Sequence, residues 1–571
     1  MAGIADRLAQ EWEERASPRS QQRARRAGAL ARRGATEAAA VGVLYRAGMI
    51  GSGSPVDSVR ELRALSTYGQ LAAPVVVGAL KYPERTGLID ELGSLTFSEL
   101  NERSDALAVA LAERGVTDED CIGVLCRNHR GFLDITFAAG KLGVRILYLN
   151  TDFSGPQLRD VCTREKVCLL VHDEEYCEMI GEVSVPHGAV LAWHDRATTR
   201  ETLDQLIEAG RGRTAPAPPH HAKVVLLTSG TTGTPKGAPR SASRSLAPVG
   251  SMLSKVPYRA EQATYVASPM FHGVGYTQAL LSISLGCTVI VERKFDPERV
   301  LGAVTAHRPS GLVVVPVMLR RMVAVLEDPE KAGLYDTSSL RLVFVSGSQL
   351  EAELVRRAQR TIGDKLYNFY GSTEVAYATF ATPEDLRAAP GCAGRPPFGT
   401  IIRLYDEDGK RVRRPGVVGR IFVGNTFQFE GYTGGGSKDM IDGLMATGDV
   451  GHFDDGGRLF VDGRDDDMIV SGGENLFPGE VEELLITHPD IEEASVIGVD
   501  DPEWGKRLAA FVVVAPGRHL SAEQVKQFVK QNLARFKVPR DVVFIDELPR
   551  NPSGKVLKRT LRDLHSQQPS S

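Results

Sequence analysis

The sequence predicts an α/β protein: a large, multi-subdomain N-terminal domain on helix-covered, largely parallel sheet, then a small mobile α+β domain. Three observations carry this. With 571 residues the chain is long enough for more than one core. From about residue 85, short apolar runs alternate with helical patterns, as parallel strands joined by crossover helices require. The texture then changes near Gly463-Arg464-Asp465-Asp466-Asp467, and the remaining residues follow an alternation of their own.

Taken in order, residues 1–70 read as an extension. It opens Arg-rich, continues with modest apolar content from Thr36 to Gly51, and breaks at Gly51–Pro55. A helix packed on the surface is expected, with contact to a membrane surface as the alternative. Leu95 to Arg114 has helical spacing, with Thr96 or Ser98 as its start. Strands are expected at Cys121–Cys126, Ile146–Leu149, Val167–Val171, Ala189–Trp193 and Val224–Leu227, the last after a Pro- and His-containing linker, Thr214–His221. Further strands are expected at Thr288–Val291, Leu312–Val315, Leu342–Val345 and Gly419–Val423. The small domain should contain strands at Ala494–Val499, Leu508–Val514 and Val542–Ile545, and a helix from Ser521 to Leu533. The expected division is an extension at 1–70, a large domain at 71–463, a hinge at 464–466, a small domain at 467–562 and a tail at 563–571.

Composition narrows the function. The chain is 42% apolar and 25% charged, ordinary for a globular protein. A formal net charge of -4 gives no reason to expect nucleic acid. The seven cysteines are scattered, without metal-site spacing, and read as small core hydrophobes in a reducing cytoplasm. No secretory signal opens the sequence, and the longest apolar run, Leu71–Leu80, falls short of the ~20 residues that span a bilayer. A cytoplasmic protein is expected, with peripheral contact at the inner membrane face as the one membrane association left open.

Thr228-Ser229-Gly230-Thr231-Thr232-Gly233-Thr234-Pro235-Lys236-Gly237 is the most informative stretch. It leaves a buried strand, its glycines let backbone N–H groups converge, its hydroxyls add donors and Lys236 adds charge, which suits a polyphosphate. It is not a Walker loop: no Gly precedes Lys236, and Gly237 follows it where Ser or Thr should stand. In Tyr370-Gly371-Ser372-Thr373-Glu374, hydroxyls beside a carboxylate suit phosphate and Mg²⁺. Thr447-Gly448-Asp449 sets a carboxylate after a Gly turn, a good partner for ribose hydroxyls. Ser471-Gly472-Gly473-Glu474-Asn475 is a second Gly loop, and Pro552-Ser553-Gly554-Lys555 puts one Lys on a tight turn. Singly, the last three are ordinary turns.

These five motifs, in this order, resemble the adenylate-forming enzymes, and their texture with Phe271-His272-Gly273 is most similar to bacterial fatty-acyl-CoA synthetases. The resemblance runs from about residue 85 to 560. It implies that Thr228 to Lys236 cradles the β- and γ-phosphates of ATP, and that Ser346, Gly347 and Ser348 line the adenine pocket beside Tyr370. Thr373 would contact phosphate and Glu374 would hold Mg²⁺. Asp449 and Arg464 would bind the ribose, and Asp466 would be the hinge. Gly472, Gly473 and Glu474 would approach coenzyme A, Lys555 would be the adenylation lysine, and His272 would sit at the mouth of the acid pocket. Two departures stand out: Pro239 just after the phosphate loop, and Gly443-Leu444-Met445-Ala446, which lacks the aromatic residues common before Thr447.

The implied reaction activates a medium- or long-chain fatty acid to acyl-AMP and transfers it to coenzyme A. Gly371, where acetate-activating relatives carry Trp, leaves the acid pocket open. The alternatives are an aryl-acid–CoA ligase, an acyl-AMP ligase serving a carrier protein, and, in another class, a degenerate binding protein. A phosphotransferase is disfavoured by the Lys236-Gly237 ending.

Overall fold

The computed structural model describes residues 18–51, 54–181, 183–227, 237–240, 245–425, 431, 438–465, 469–471, 474–476, 478–501, 505–534, 537–551 and 554–567. Two sheets with parallel centres form the large domain. In one, Thr86–Asp90, Thr288–Ile290, Ala263–Val266, Gly311–Val314, Leu342–Val345 and Leu366–Tyr370 run parallel, edged by the antiparallel strands Gly93–Thr96 and Thr379–Ala381. In the other, Ala189–Trp193, Leu169–Asp173, Cys121–Leu125, Arg145–Tyr148 and Val224–Leu227 run parallel, and Gly237–Arg240 closes the edge antiparallel. Cys121–Leu125, Gly311–Val314 and Leu342–Val345 are buried at every position, which is why they read as unbroken apolar runs.

The two sheets share one core. Leu88, Val266, Val313 and Phe344 of the first join Ile122, Val124, Ile146 and Val171 of the second, together with Leu107, Phe132 and Leu281 from intervening helices. The helix expected from Leu95 spans Phe97–Glu113. Thr96 is its cap: Thr96 Oγ1 accepts from the Glu99 N–H at 3.1 Å, and Glu99 Oε2 accepts from the Thr96 N–H at 2.7 Å.

Gly419–Val423 was expected among the strands separated by helices. It belongs instead to an antiparallel sheet, as Gly419–Gly424, with Ile401–Tyr405, Arg411–Val412, Met440–Ile441, Leu444–Phe453 and Leu459–Arg464. The chain between Tyr405 and Arg411 is too short for a crossover helix, so Arg411–Val412 returns antiparallel to Ile401–Tyr405. The small domain has strands Ile491–Asp501, Gly505–Val514 and Asp541–Phe544, a helix Ala522–Asn532, and cores separate from those of the large domain.

The extension is more than a surface element. Helices Pro18–Ala47 and Pro55–Lys81 place Val43, Leu44, Ala47, Leu71 and Val75 in the main core. Close approach depends on small residues: a Cβ on Gly250 would lie 2.6 Å from Ala40 Cβ, and one on Gly140 2.7 Å from Ala72 Cβ. The boundary expected at residue 70 falls inside the second helix, next to a kink at Gly69 with φ 62°. Among the described residues, no helix is long and apolar enough to cross a membrane.

Candidate active site

The site lies where parallel strands end and loops begin, the usual ligand position in α/β sheets. Ser346-Gly347-Ser348 follows Leu342–Val345, and Gly371–Glu374 follows Leu366–Tyr370. Thr228, Ser229, Gly230, Thr231, Thr232, Gly233, Thr234 and Lys236 lie outside the described residues, as do Asp466, Gly472 and Gly473. The ends of the Thr228–Lys236 loop are nevertheless fixed side by side, because Leu227 pairs with Gly237. Glu474 opens the second strand of a hairpin, paired with Ser471.

A cleft of about 2580 Å³ brings the other expected residues together: Ser346, Gly347, Ser348, Tyr370, Gly371, Ser372, Thr373, Glu374, Asp449, Arg464, His272 and Lys555 all line it. Thr447-Gly448-Asp449 is not a turn, as expected, but part of the strand Leu444–Phe453. Arg420 pairs with Val450 and Phe422 with Ala446, so Thr447–Asp449 bulge opposite one residue, with Gly448 at φ 84°. The bulge turns Asp449 toward Tyr370, whose hydroxyl donates to Asp449 Oδ2 at 2.6 Å. Arg464, opposite Asp449 in the next strand, places Nη1 3.5 Å from its Oδ1.

Burial lifts the Asp449 carboxyl above its ordinary pKa, opposed by the Tyr370 hydrogen bond and by the charges of Arg464, Lys555 and Lys438. Burial, then Asp449, pushes the Tyr370 phenol well up. Lys438 belongs to no motif, and only the fold brings it to this carboxylate: a Cβ on Gly448 would lie 3.3 Å from its Nζ.

Glu374 is 8% exposed, and its Oε2 accepts from Ser372 Oγ at 2.9 Å. Ser372 Oγ in turn accepts from the N–H groups of Glu374 and Val375 at 3.2 and 3.3 Å, tying the turn together. Gly371 is required by packing as well as by pocket space, since a Cβ there would lie 2.1 Å from the Ala376 carbonyl oxygen. Ser346 Oγ donates to the Phe369 carbonyl at 3.0 Å, and Gly347 has φ 104°.

Lys555 arrives from the small domain. Its N–H donates to Asn551 Oδ1 at 2.8 Å, and the Gly554 N–H donates to the Asn551 carbonyl at 2.8 Å, closing the expected turn. A Cβ on Gly554 would lie 2.7 Å from Val317 Cγ1, so this turn is seated directly against the large domain. His272 precedes helix Gly273–Ser284; its Nε2 is buried without a partner among the described residues, and burial pulls its pKa down to about 4. The extension also walls the cleft, with Leu44, Leu65, Gly69 and Leu71.

Residues 77–433 match the model of the AMP-binding enzymes and residues 480–555 that of the AMP-binding enzyme C-terminal domain. The chain belongs to the AMP-binding enzymes. It is similar to indoleacetate–CoA ligase of Aromatoleum aromaticum, 32% identical over 85% of this chain and 94% of that protein. It is also similar to the fatty acid–[acyl-carrier-protein] ligase ScoC of Streptomyces coeruleorubidus, 29% identical over 84% of this chain and 93% of that one. Among solved structures, o-succinylbenzoate CoA synthetase (MenE) from Bacillus subtilis, in complex with its acyl-adenylate intermediate, superposes with a TM-score of 0.74 at 27% identity, covering 86% of this chain and 98% of that chain. This AMP-binding enzyme thus has the two-domain α/β fold of its family, whose acid–CoA ligases use ATP, Mg²⁺ and coenzyme A.

Proposed function

We propose that this AMP-binding enzyme joins an apolar-bodied carboxylic acid to coenzyme A, converting ATP to AMP and pyrophosphate. The observation that carries the reading is the meeting of Lys555, from the small domain, with Asp449, Arg464 and Glu374 in one cleft. In the first half-reaction an acid carboxylate oxygen attacks the α-phosphorus of ATP, a P–O bond forms, and the bond to the bridging oxygen breaks to release pyrophosphate. Both reactants are anions, so a cation between them is worth about 3 kcal/mol of barrier. Lys555 supplies it. Asp449 and Arg464 hold the ribose, Tyr370 with Ser346, Gly347 and Ser348 flanks adenine, and Thr228–Lys236 holds the departing phosphates. Glu374, with the hydroxyls of Ser372 and Thr373, offers the hard oxygen set that suits Mg²⁺, which when bound neutralises phosphate charge.

In the second half-reaction the coenzyme A sulfur attacks the acyl carbonyl, the carbon–oxygen bond to AMP breaks, and AMP leaves. The small domain turns about Asp466 and brings Gly472, Gly473 and Glu474 toward the incoming thiol. For the acid, an aryl body is the reading that the cleft favours. Phe344 and Phe369 line it, stacked with centroids 5.6 Å apart, and the indoleacetate enzyme is a relative. The fatty-acid reading draws on the extent of the cleft, which reaches Leu44 and Leu71, and on the fatty-acid relative.

Acid-dependent exchange of pyrophosphate into ATP, followed by AMP release with coenzyme A or with a carrier protein, tests the reaction and its acceptor. Lys555→Ala is expected to slow exchange by about 10²–10³-fold, while thioester formation from supplied acyl-adenylate continues. Equal loss of both would count against the role given to Lys555.

The extension is proposed to touch an anionic lipid surface. Val56, Val59 and Leu62 are 59–66% exposed on the outward side of one helix, beside exposed Arg60 and Arg63. Removing residues 1–70 would cut that helix and the core, so Val59→Glu with Leu62→Glu is the usable variant. It should abolish co-sedimentation with phosphatidylserine vesicles; unchanged co-sedimentation would refute the contact.

A further inference from the structure

We infer that Asp120, Cys168 and His187 form a second site, which holds Zn²⁺ at the end of the large domain away from the cleft. Asp120 precedes the strand Cys121–Leu125, Cys168 precedes Leu169–Asp173, and His187 stands two residues before Ala189–Trp193. These strands are neighbours in one parallel sheet. The three residues therefore share the end where its strands begin, and none of them lines the cleft, which lies where strands end. Parallel pairing sets them level. The Cys168 N–H donates to the Cys121 carbonyl at 2.8 Å, and the His187 N–H to the Cys168 carbonyl at 2.7 Å. A carboxylate oxygen, a sulfur and an imidazole nitrogen then lie within 4.8 Å of one another.

The donor set selects the cation. Thiolate, imidazole and carboxylate together suit Zn²⁺, whereas Mg²⁺ wants oxygen alone. Bonds of about 2.0–2.3 Å to a tetrahedral ion put ligand atoms about 3.5 Å apart, so modest rotations of Asp120 and His187 close the set. Groups around the site hold the ligands in place. Asp120 Oδ2 accepts from the Thr117 N–H at 2.8 Å and from Thr117 Oγ1 at 3.0 Å. The His187 carbonyl accepts from Arg114 Nε at 3.0 Å and Nη2 at 2.7 Å, while Glu201 pairs with the Arg114 charge. The His187 ring makes no hydrogen bond among the described residues. Asp120 and His187 are half-buried, which gives the ion a way in and water the fourth position. Burial, then the Asp120 charge, pushes the Cys168 thiol up to about 11, and a bound Zn²⁺ displaces its proton.

Cys126, His129 and Asp173 also lie together, but they are spent on one another and wholly buried. His129 Nε2 meets Asp173 Oδ1 at 2.8 Å, and its Nδ1 accepts from the Gly131 N–H at 3.1 Å. Asp173 Oδ2 accepts from the Arg127 N–H at 2.8 Å. Both ring nitrogens are used there, whereas the His187 ring is left for a ligand. An ion at Cys168 would tie the starts of three strands together, so it would serve stability rather than the chemistry of the cleft.

The full-length enzyme, stripped of metal with dipicolinate, tests this by titration with Co²⁺ as a spectroscopic stand-in for Zn²⁺. A sulfur-to-cobalt charge-transfer band should grow, saturate at a single ion per chain and be abolished by Zn²⁺ but not by Mg²⁺. Zn²⁺ should also raise the melting temperature by at least about 2 °C. Cys168→Ala should remove the band, and His187→Ala should weaken Co²⁺ binding at least about tenfold. Cys126→Ala and Cys177→Ala should keep both. Each variant is checked for an unchanged melting temperature without metal; should Cys168→Ala fail to fold, His187→Ala carries the test. No band in the wild-type enzyme overturns the inference without any variant. So does a band that His187→Ala leaves at full affinity, or one that Cys126→Ala removes.

Discussion

At the scale of single residues, Gly371 shows how position overrides type. Within its motif it reads as an open space in the acid pocket. In the fold it faces the Ala376 carbonyl, and Ala376 itself sits at φ 60°, a strained value for a residue with a side chain. Gly371→Ala should cost about 1–3 kcal/mol of stability by overpacking and should depress pyrophosphate exchange; urea unfolding and the exchange assay read the two effects separately. His272 gives a pH prediction. Its folded-state pKa of about 4 lies below the ordinary 6.5, so the unfolded chain takes up the proton first as pH falls. Its contribution to stability is therefore complete above about 6.5 and lost as pH drops toward 4. In His272→Asn the urea midpoint should fall less steeply across that window.

At the scale of elements, the strands were legible where the apolar runs are unbroken. Ala189–Trp193, Val224–Leu227 and Leu342–Val345 have the bounds their apolar runs imply. Thr96 rather than Ser98 caps its helix because Glu99 stands three residues later and completes the capping box. Two things were not legible. The strands Ile401–Tyr405, Arg411–Val412 and Met440–Ile441 of the antiparallel sheet are half-exposed, so they carry no continuous apolar signal. The extension's burial depends on small residues, Ala40 against Gly250 and Ala72 against Gly140, and alanine has no periodic signature of burial. Because those contacts reach the main core, Ala40→Leu should destabilise the whole large domain by about 1–3 kcal/mol. Thermal unfolding by circular dichroism would register this as a lower melting temperature of the main transition, rather than as local fraying. Likewise the chemistry-bearing motifs of the site were readable, but Lys438 was not, since it matters only through what the fold sets beside it.

At the scale of the molecule, the small domain keeps its own core and docks on the large one through polar contacts. Arg320 Nη2 lies 2.6 Å from Glu351 Oε2, while its Nη1 donates to the Glu492 carbonyl at 3.0 Å. Gln349 Nε2 donates to Glu483 Oε1 at 2.7 Å. Such contacts exchange readily for water, which suits a domain that must leave and return. Arg320→Ala should lower pyrophosphate exchange about tenfold, because it unpairs Glu351, whose carboxyl burial already raises. Thioester formation from supplied acyl-adenylate should change less; stopped-flow measurement of the two half-reactions separates them.

Asp449 and Arg464 face each other across neighbouring strands, and Arg464 ends the strand from which the chain passes into the proposed hinge. A nucleotide gripped by this pair would therefore hold the pivot's fixed end taut, and departure of AMP would slacken it. The ligand would then act as a clutch: occupancy of the ribose subsite, sensed two residues from the swivel, would set when the small domain is free to reset for the next turnover.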